Sequence, residues 1–211
     1  MNAEDCFGVR LKYKKNALNF QTCDWIGETF TIPEFLNKEV NVPINEWITF
    51  FAQWLVNQYY DTNKDRWGVS TDQLTNYMKE ISNISFPEWV WRLNKEQSRL
   101  FIDAMILDND STVYTQSIKI ANDLCRLCIH AGWSSQILLN NKIGEDKYTI
   151  IIIKTESELE PEINHEDKNE ETEEWEHYEG TVHCLTVRTG IFMVRENGKP
   201  VWSGNSRHGQ K

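Results

Sequence analysis

Asn205 and Ser206 are neighbours near the end of a 211-residue chain, and as a pair they can do peptide chemistry. The side-chain amide of an asparagine can attack its own backbone carbonyl and so cleave the bond that follows. A serine hydroxyl in the next position is a nucleophile for acyl transfer. Gly204 precedes them and leaves that backbone unhindered. A second chemical candidate is Cys125-Arg126-Leu127-Cys128, with His130 just beyond. Cysteines three apart share a helix face, but a structural zinc site takes four ligands and no second pair is present to complete the set. They read as buried helix thiols.

The elements that must hold Asn205 are β in character. Val182 to Val187 and Ile191 to Arg195 are two strand-like runs joined by Arg188-Thr189-Gly190. Glu196-Asn197-Gly198-Lys199-Pro200 then separates the second run from Val201-Trp202. Asn-Gly between apolar runs is a hairpin signal, because both positions tolerate positive φ. On residue types alone this is a β-hairpin followed by a polar tail.

Composition bounds the rest. Hydrophobic residues make up 40% and charged residues 26%, the balance of a folding chain rather than a disordered one. Nine tryptophans promise large apolar packing surfaces. The formal charge of −10 argues against a general nucleic-acid binder. That charge is local, because residues 156–179 hold 12 acids against one lysine. Within them, 156–174 reads as a mobile acidic linker. The five cysteines form no disulfide-style framework, and neither a signal peptide nor a long apolar span is visible. An intracellular, reducing compartment follows.

Taken in order, Phe7 to Tyr13 alternates like a strand, and helical texture begins near Glu34. Asn45 is a candidate N-cap for an apolar helix carrying Trp47, Ile48, Phe50, Phe51, Trp54, Leu55 and Val56. A strand-like Arg66 to Ser70 precedes a helix over Thr71 to Ile81. A further helix begins near Asn94 and runs through Asp110, followed by a strand at Thr112 to Thr115 and a helix from Gln116 to Ala131 that ends at Gly132. Helix, strand, helix thus occurs twice, the pattern of an internal pseudo-repeat. Lys147 to Lys154 reads as a β-strand.

Two resemblances give these elements a meaning. Thr181 to Ser206 resembles the C-terminal splicing region of an intein, with Val182-His183-Cys184-Leu185-Thr186-Val187 as the motif strand and Asn205-Ser206 as the junction. Ser206-Arg207-His208-Gly209-Gln210-Lys211 resembles a segment of the second-largest subunit of DNA-directed RNA polymerases, the host protein resuming. The resemblance implies that Ser206 accepts the N-terminal host segment and that Asn205 cyclises to release the intein. Inteins often carry histidine where Gly204 and Gly190 stand here, which implies either slower cyclisation or replacement by another group, with His183 and His177 as candidate substitutes. Cys184 occupies the position of an aspartate that contacts the first intein residue. It is either a core cysteine or a thiol that tunes or resolves the first acyl shift. No Thr-x-x-His motif is present, and Cys6 is not followed by the usual continuation of a first intein residue. The simplest account is the C-terminal piece of a split intein beginning at Met1.

Leu93 to Asp110, and the helix Ala121 to Trp133 after it, resemble the second half of a LAGLIDADG (dodecapeptide) homing endonuclease. Phe51 to Gln58 would be its first signature helix. Ala52 and Ala104 keep the small residues of the helix pair. Asn57 and Asn109 stand where the metal-holding acids belong, and an amide brings no charge to offset a divalent cation. A catalytically dead remnant with weak or absent DNA binding is expected, and no metal or cofactor.

The resulting expectation is an α+β chain. An endonuclease-like α/β domain spans 31–148, after a residual splicing strand and connector at 1–30. The C-terminal part of an all-β Hint (horseshoe) splicing domain spans 149–205, and the host resumes at 206–211. Partners implied are an N-terminal intein fragment and the host polymerase subunit, with no membrane. The setting implied is intracellular with that polymerase (nucleus, or virus or host cytoplasm), not secreted. The rival reading is a DNA-binding or DNA-cleaving protein with a vestigial splicing end.

Overall fold

A computed structural model describes residues 11–12, 27–32, 40–57, 67–81, 85–106, 110–139, 148–155, 159, 162–163, 177, 179–181, 183, 185–188, 190–196 and 198–204. The chain is a mixed α and β protein with small antiparallel sheets and four α-helices among these residues. Strands β1 (Leu11–Lys12), β2 (Thr29–Ile32) and β3 (Val40–Pro43) lead into helix α1 (Ile44–Asn57). Helix α2 (Thr71–Ile81) and a 3-10 turn (Glu88–Arg92) precede helix α3 (Lys95–Met105). Strand β4 (Thr112–Thr115), helix α4 (Ile118–His130) and strands β5 (Ser134–Leu139) and β6 (Tyr148–Ile153) complete a three-stranded sheet in the order β4-β6-β5. Strand β7 (Glu162–Ile163) pairs with β1, and β8 (Ile191–Glu196) pairs with β9 (Lys199–Gly204).

The core is aromatic, as nine tryptophans require. Trp47 is fully buried in α1 and stacks on Phe30 of β2 with centroids 4.5 Å apart and planes within 7°. Phe50, Phe51, Trp67, Tyr77 and Trp89 surround it at centroid distances of 6.0 to 6.3 Å. Offset and tilted ring pairs of this kind add about 0.5–1.5 kcal/mol each beyond area burial. Phe51 also meets Phe101 at 6.1 Å, so α1 packs on α3. Ala52, at that seam, is fully buried, while Ala104 is half-buried.

Local chemistry fixes the helix ends. Asn94 caps α3 through a reciprocal pair: Gln97 N donates to Asn94 Oδ1 at 2.8 Å, and Asn94 N donates to Gln97 Oε1 at 3.1 Å. Ser117 caps α4 by accepting from Ile120 N. At the far end of α4, Arg99 of α3 donates Nε to the Ala131 carbonyl at 2.9 Å. Gly132 follows in the left-handed region at φ +73, the usual helix exit. Lys154 at the end of β6 ties the sheet to α3 by a 2.6 Å ion pair with Asp103.

Several expectations need correcting. Helix α1 starts at Ile44, so Asn45 lies inside it and is not its cap; Ile44 N bonds instead to the Glu28 carbonyl. Arg66 to Ser70 is not a strand among its described residues, because Trp67 and Gly68 both take positive φ and make a turn. Helix α3 stops at Met105 rather than Asp110. Ile106 turns extended and its N–H bonds back to Asp103 O, which ends the helical ladder. Strand β5 was not foreseen. Inside the expected acidic linker, Glu162–Ile163 pair with Leu11–Lys12, and Leu159 is buried.

Candidate functional site

The C-terminal hairpin is the element that leads up to Asn205-Ser206 in the chain. Its register runs Ile191↔Gly204 to Glu196↔Lys199, with Gly198 at φ +79 beside the closing pair. The hairpin signal in Asn-Gly is met as the sequence reads it. Gly190 opens the hairpin at φ +71, its N–H bonded to Val187 O at 3.1 Å. A histidine there would have to adopt a backbone that residues with a Cβ rarely take.

The predicted site residues are not assembled by what the structure describes. Asn205 and Ser206 lie outside the described residues, as do Cys184 and Asn109. Gly204 is the exposed last residue of β9. His183 and His177 are both exposed and outside regular structure. The run from Val182 to Val187, read as a strand, shows no strand at its described positions, and Leu185 is 59% exposed. No strand pairs with it among the described residues, so its alternation has no sheet to enter. Asn57 is the last residue of α1; nothing is described of its side chain. Among the described residues no three His, Cys, Asp or Glu side chains converge on a metal-sized site, and Cys125, Cys128 and His130 are no exception.

What the structure does assemble is a cleft of about 510 Å³ between α4 and the hairpin. Asn122, Cys125, Arg126 and His130 line it from the helix, Ser135 from β5, and Arg195 from β8. Arg195 Nη2 donates to Asn122 Oδ1, bridging residues 73 apart. Arg126 lies 4.0 Å over the Trp91 ring, and His130 meets the edge of the same ring at 5.8 Å. Burial pushes the Cys125 thiol up, and hydrogen bonding to Ser135 and the nearby Arg195 only partly oppose it. Cys128 is raised further, by burial first and by Cys125 second. His130 is lowered by burial and then by Arg126. Burial therefore favours a protonated thiol at Cys125, a weak nucleophile and ligand, beside a neutral imidazole at His130. The helix-face pairing of Cys125 and Cys128 was visible in their spacing; the approach of Arg195 to Cys125 and Asn122 was not, because no local pattern encodes contacts across 70 or more residues.

Comparison with known proteins places this arrangement among few relatives. No family model matches the chain, and no solved structure matches it. An RNA polymerase subunit beta C-terminal section from Stigeoclonium helveticum is 30% identical over 200 residues, taking in 71% of this chain and 18% of that protein. The chain is similar to part of a polymerase subunit. An ATP-dependent Clp protease proteolytic subunit from Chlamydomonas moewusii is 21% identical over 373 residues, taking in 98% of this chain and 37% of that protein. The chain thus spans well under half the length of either relative. Both alignments run longer than the stretch of this chain they take in, so each relative carries segments with no counterpart here. The expected link to a polymerase subunit agrees with the first of these. No helix among the described residues is long and apolar enough to cross a membrane.

Proposed function

We propose that this chain is the C-terminal portion of an intein within an RNA polymerase subunit, and that it splices itself out. Its residues 31–148 form a homing-endonuclease-like domain that no longer cuts DNA. The observation that carries this is the junction: a β-hairpin ends exposed at Gly204, directly before Asn205-Ser206. Support also comes from outside the junction. The residues after it resemble a polymerase segment, and the chain is similar to part of a polymerase beta section. It is also similar to part of a protease subunit, and two proteins with no activity in common share such a segment most simply as an insertion. Helices α1 and α3, packed through Phe51 and Phe101, are what a signature-helix pair would need.

The chemistry runs through two residues. The N-terminal host segment arrives as an ester or thioester on the first intein residue, which lies outside these 211 residues, on the same polypeptide or another. The Ser206 hydroxyl attacks that acyl carbon, and the acyl bond to the first intein residue breaks. The released thiol or hydroxyl takes up the proton that Ser206 loses, and Ser206 carries the segment as a branched ester. The Asn205 side-chain nitrogen then attacks the Asn205 backbone carbonyl. The Asn205–Ser206 bond breaks, a succinimide forms, and the freed Ser206 amine takes a proton. That amine attacks the neighbouring ester, and an O-to-N shift leaves a normal peptide bond. His183 and His177 are the nearest imidazoles upstream of Asn205 in sequence to serve cyclisation, and both are exposed to solvent.

The test is to supply the N-terminal intein fragment with its host segment and follow products by mass spectrometry. Ligated host product is expected from the unaltered chain, branched ester without release from Asn205→Ala, and no branched ester from Ser206→Ala. A second reading is favoured by the 30% identity to a polymerase section: the residues remain in the mature subunit as a resident lobe. A mature subunit that retains them would establish it.

A further inference from the structure

The hairpin does not hang free from the endonuclease-like body. Gly198 at its tip accepts a hydrogen bond from Ile137 N at 3.0 Å, on the outer strand β5 of the three-stranded sheet. A Cβ added at Gly198 would overlap the Ile137 carbonyl, so only glycine lets the two backbones approach this closely. One turn back, Arg195 reaches Asn122 on α4, and the hairpin roofs the cleft above Cys125. These contacts come from separate elements, α4 and β5, and act on one hairpin. Strand β9 then leads from Lys199 without interruption to Gly204, one residue before Asn205.

We propose that the corner formed by α4 and β5 is a seat for the splicing hairpin, with Arg195 and Gly198 as positioning residues for Asn205 cyclisation. This rests on the splicing reading given above. Cyclisation requires the Asn205 amide nitrogen to be held near its own carbonyl carbon, a geometry a swinging strand visits rarely. A body that has lost its nuclease acids would then be retained because it fixes the strand that carries the leaving bond. Asn122, Ile137 and Cys125 gain a role that DNA cleavage does not require.

The full chain and its N-terminal fragment supply the test, read in two ways at once. Site-resolved alkylation of Cys125 by iodoacetamide reports whether the hairpin is seated, since Cys125 is 8% exposed beneath it. Branched ester and released intein, separated by mass spectrometry, report transfer to Ser206 and cyclisation at Asn205. Gly198→Ala is expected to raise Cys125 alkylation about tenfold and to slow release about tenfold while branched ester still forms and accumulates, the change expected when a close backbone contact and its hydrogen bond are lost. Arg195→Leu acts in the same direction by about threefold, and Arg195→Lys restores most of the release. Gly190→Ala serves as the strain control: it too sits at positive φ, but nothing lies within 4 Å, so Cys125 stays protected. Rapid release from a Gly198→Ala chain whose Cys125 has become reactive overturns the positioning role. Unchanged Cys125 protection in both Gly198→Ala and Arg195→Leu overturns the seat itself. An unaltered chain that forms neither branched ester nor released intein overturns the splicing reading and the positioning role with it, while its Cys125 protection still reports the seat.

Discussion

The body and the hairpin bury themselves to very different degrees. From Val40 to Ile152 the chain closes around Trp47, Phe51, Phe101, Leu124 and Leu127, all shielded from solvent, with every helix applying an apolar face to the same cluster. The C-terminal stretch leaves Leu185, Ile191, Val194, Val201 and Trp202 exposed, several of them side by side. Val194 and Val201 pair across the hairpin and remain 38% and 42% exposed. An isolated two-stranded hairpin is marginal in water, and contiguous exposed apolar residues mark a surface that binds something. The body behaves as a finished fold; the hairpin behaves as part of one, held at its tip and waiting for cover along its length. That division is what a splicing element completed by further strands would have.

The difference can be pressed from both sides. The largest effect is expected at the junction: Asn205→Ala should abolish release of the intein altogether while leaving the thermal melting curve of the chain unchanged. Chemistry and stability then separate by region. Trp47→Ala works in the opposite sense. Removing a fully buried indole that touches rings of four elements should destabilise the body by about 3–5 kcal/mol, read by denaturant unfolding. Trp202→Ser should change that stability by only about 0.5 kcal/mol, because the ring is 39% exposed. It should instead weaken capture of the N-terminal fragment about tenfold, read by titration calorimetry. Equal losses of stability from Trp47→Ala and Trp202→Ser would erase the contrast.

The smallest effect concerns pH. His130 is held neutral by burial and by Arg126, below its ordinary value of 6.5. The unfolded chain then binds a proton that the folded chain resists, so the unfolded state gains as pH falls. Stability should be flat above about pH 6.5 and decline below it, through the lowered value. His130→Gln should remove part of that decline, measured as melting midpoint against pH. A slope unchanged by His130→Gln would assign the acid sensitivity to other groups.

Much of the body was legible because its signals are local. The helix start near Asn94, the Thr71–Ile81 helix and the Gly132 exit each rest on residues a few positions apart. The hairpin turn at Gly198 was legible for the same reason. The misreadings share one physical cause. Arg66 to Ser70 was read as a strand from composition, yet Trp67 needs its turn to reach Glu46 through Nε1 at 3.2 Å and to pack on Phe50. Helix α3 was extended to Asp110 by periodicity, while the chain turns at Ile106 to feed β4 into the sheet. Val182 to Val187 has the alternation of a strand, but alternation makes a strand only where a partner edge exists. Of the candidate site, Gly190 and Gly204 were readable as departures from a pattern. The seat joining Arg195 to Asn122 and Gly198 to Ile137 was not, since each contact joins residues more than 60 positions apart.

The most direct measurement is the mass of the products formed when this chain meets its N-terminal fragment. The account predicts a ligated host polypeptide joined at Ser206 and a released chain ending in a succinimide at Asn205. A host subunit in mature form that still contains residues 1–205 in unbroken linkage to Ser206 would contradict it.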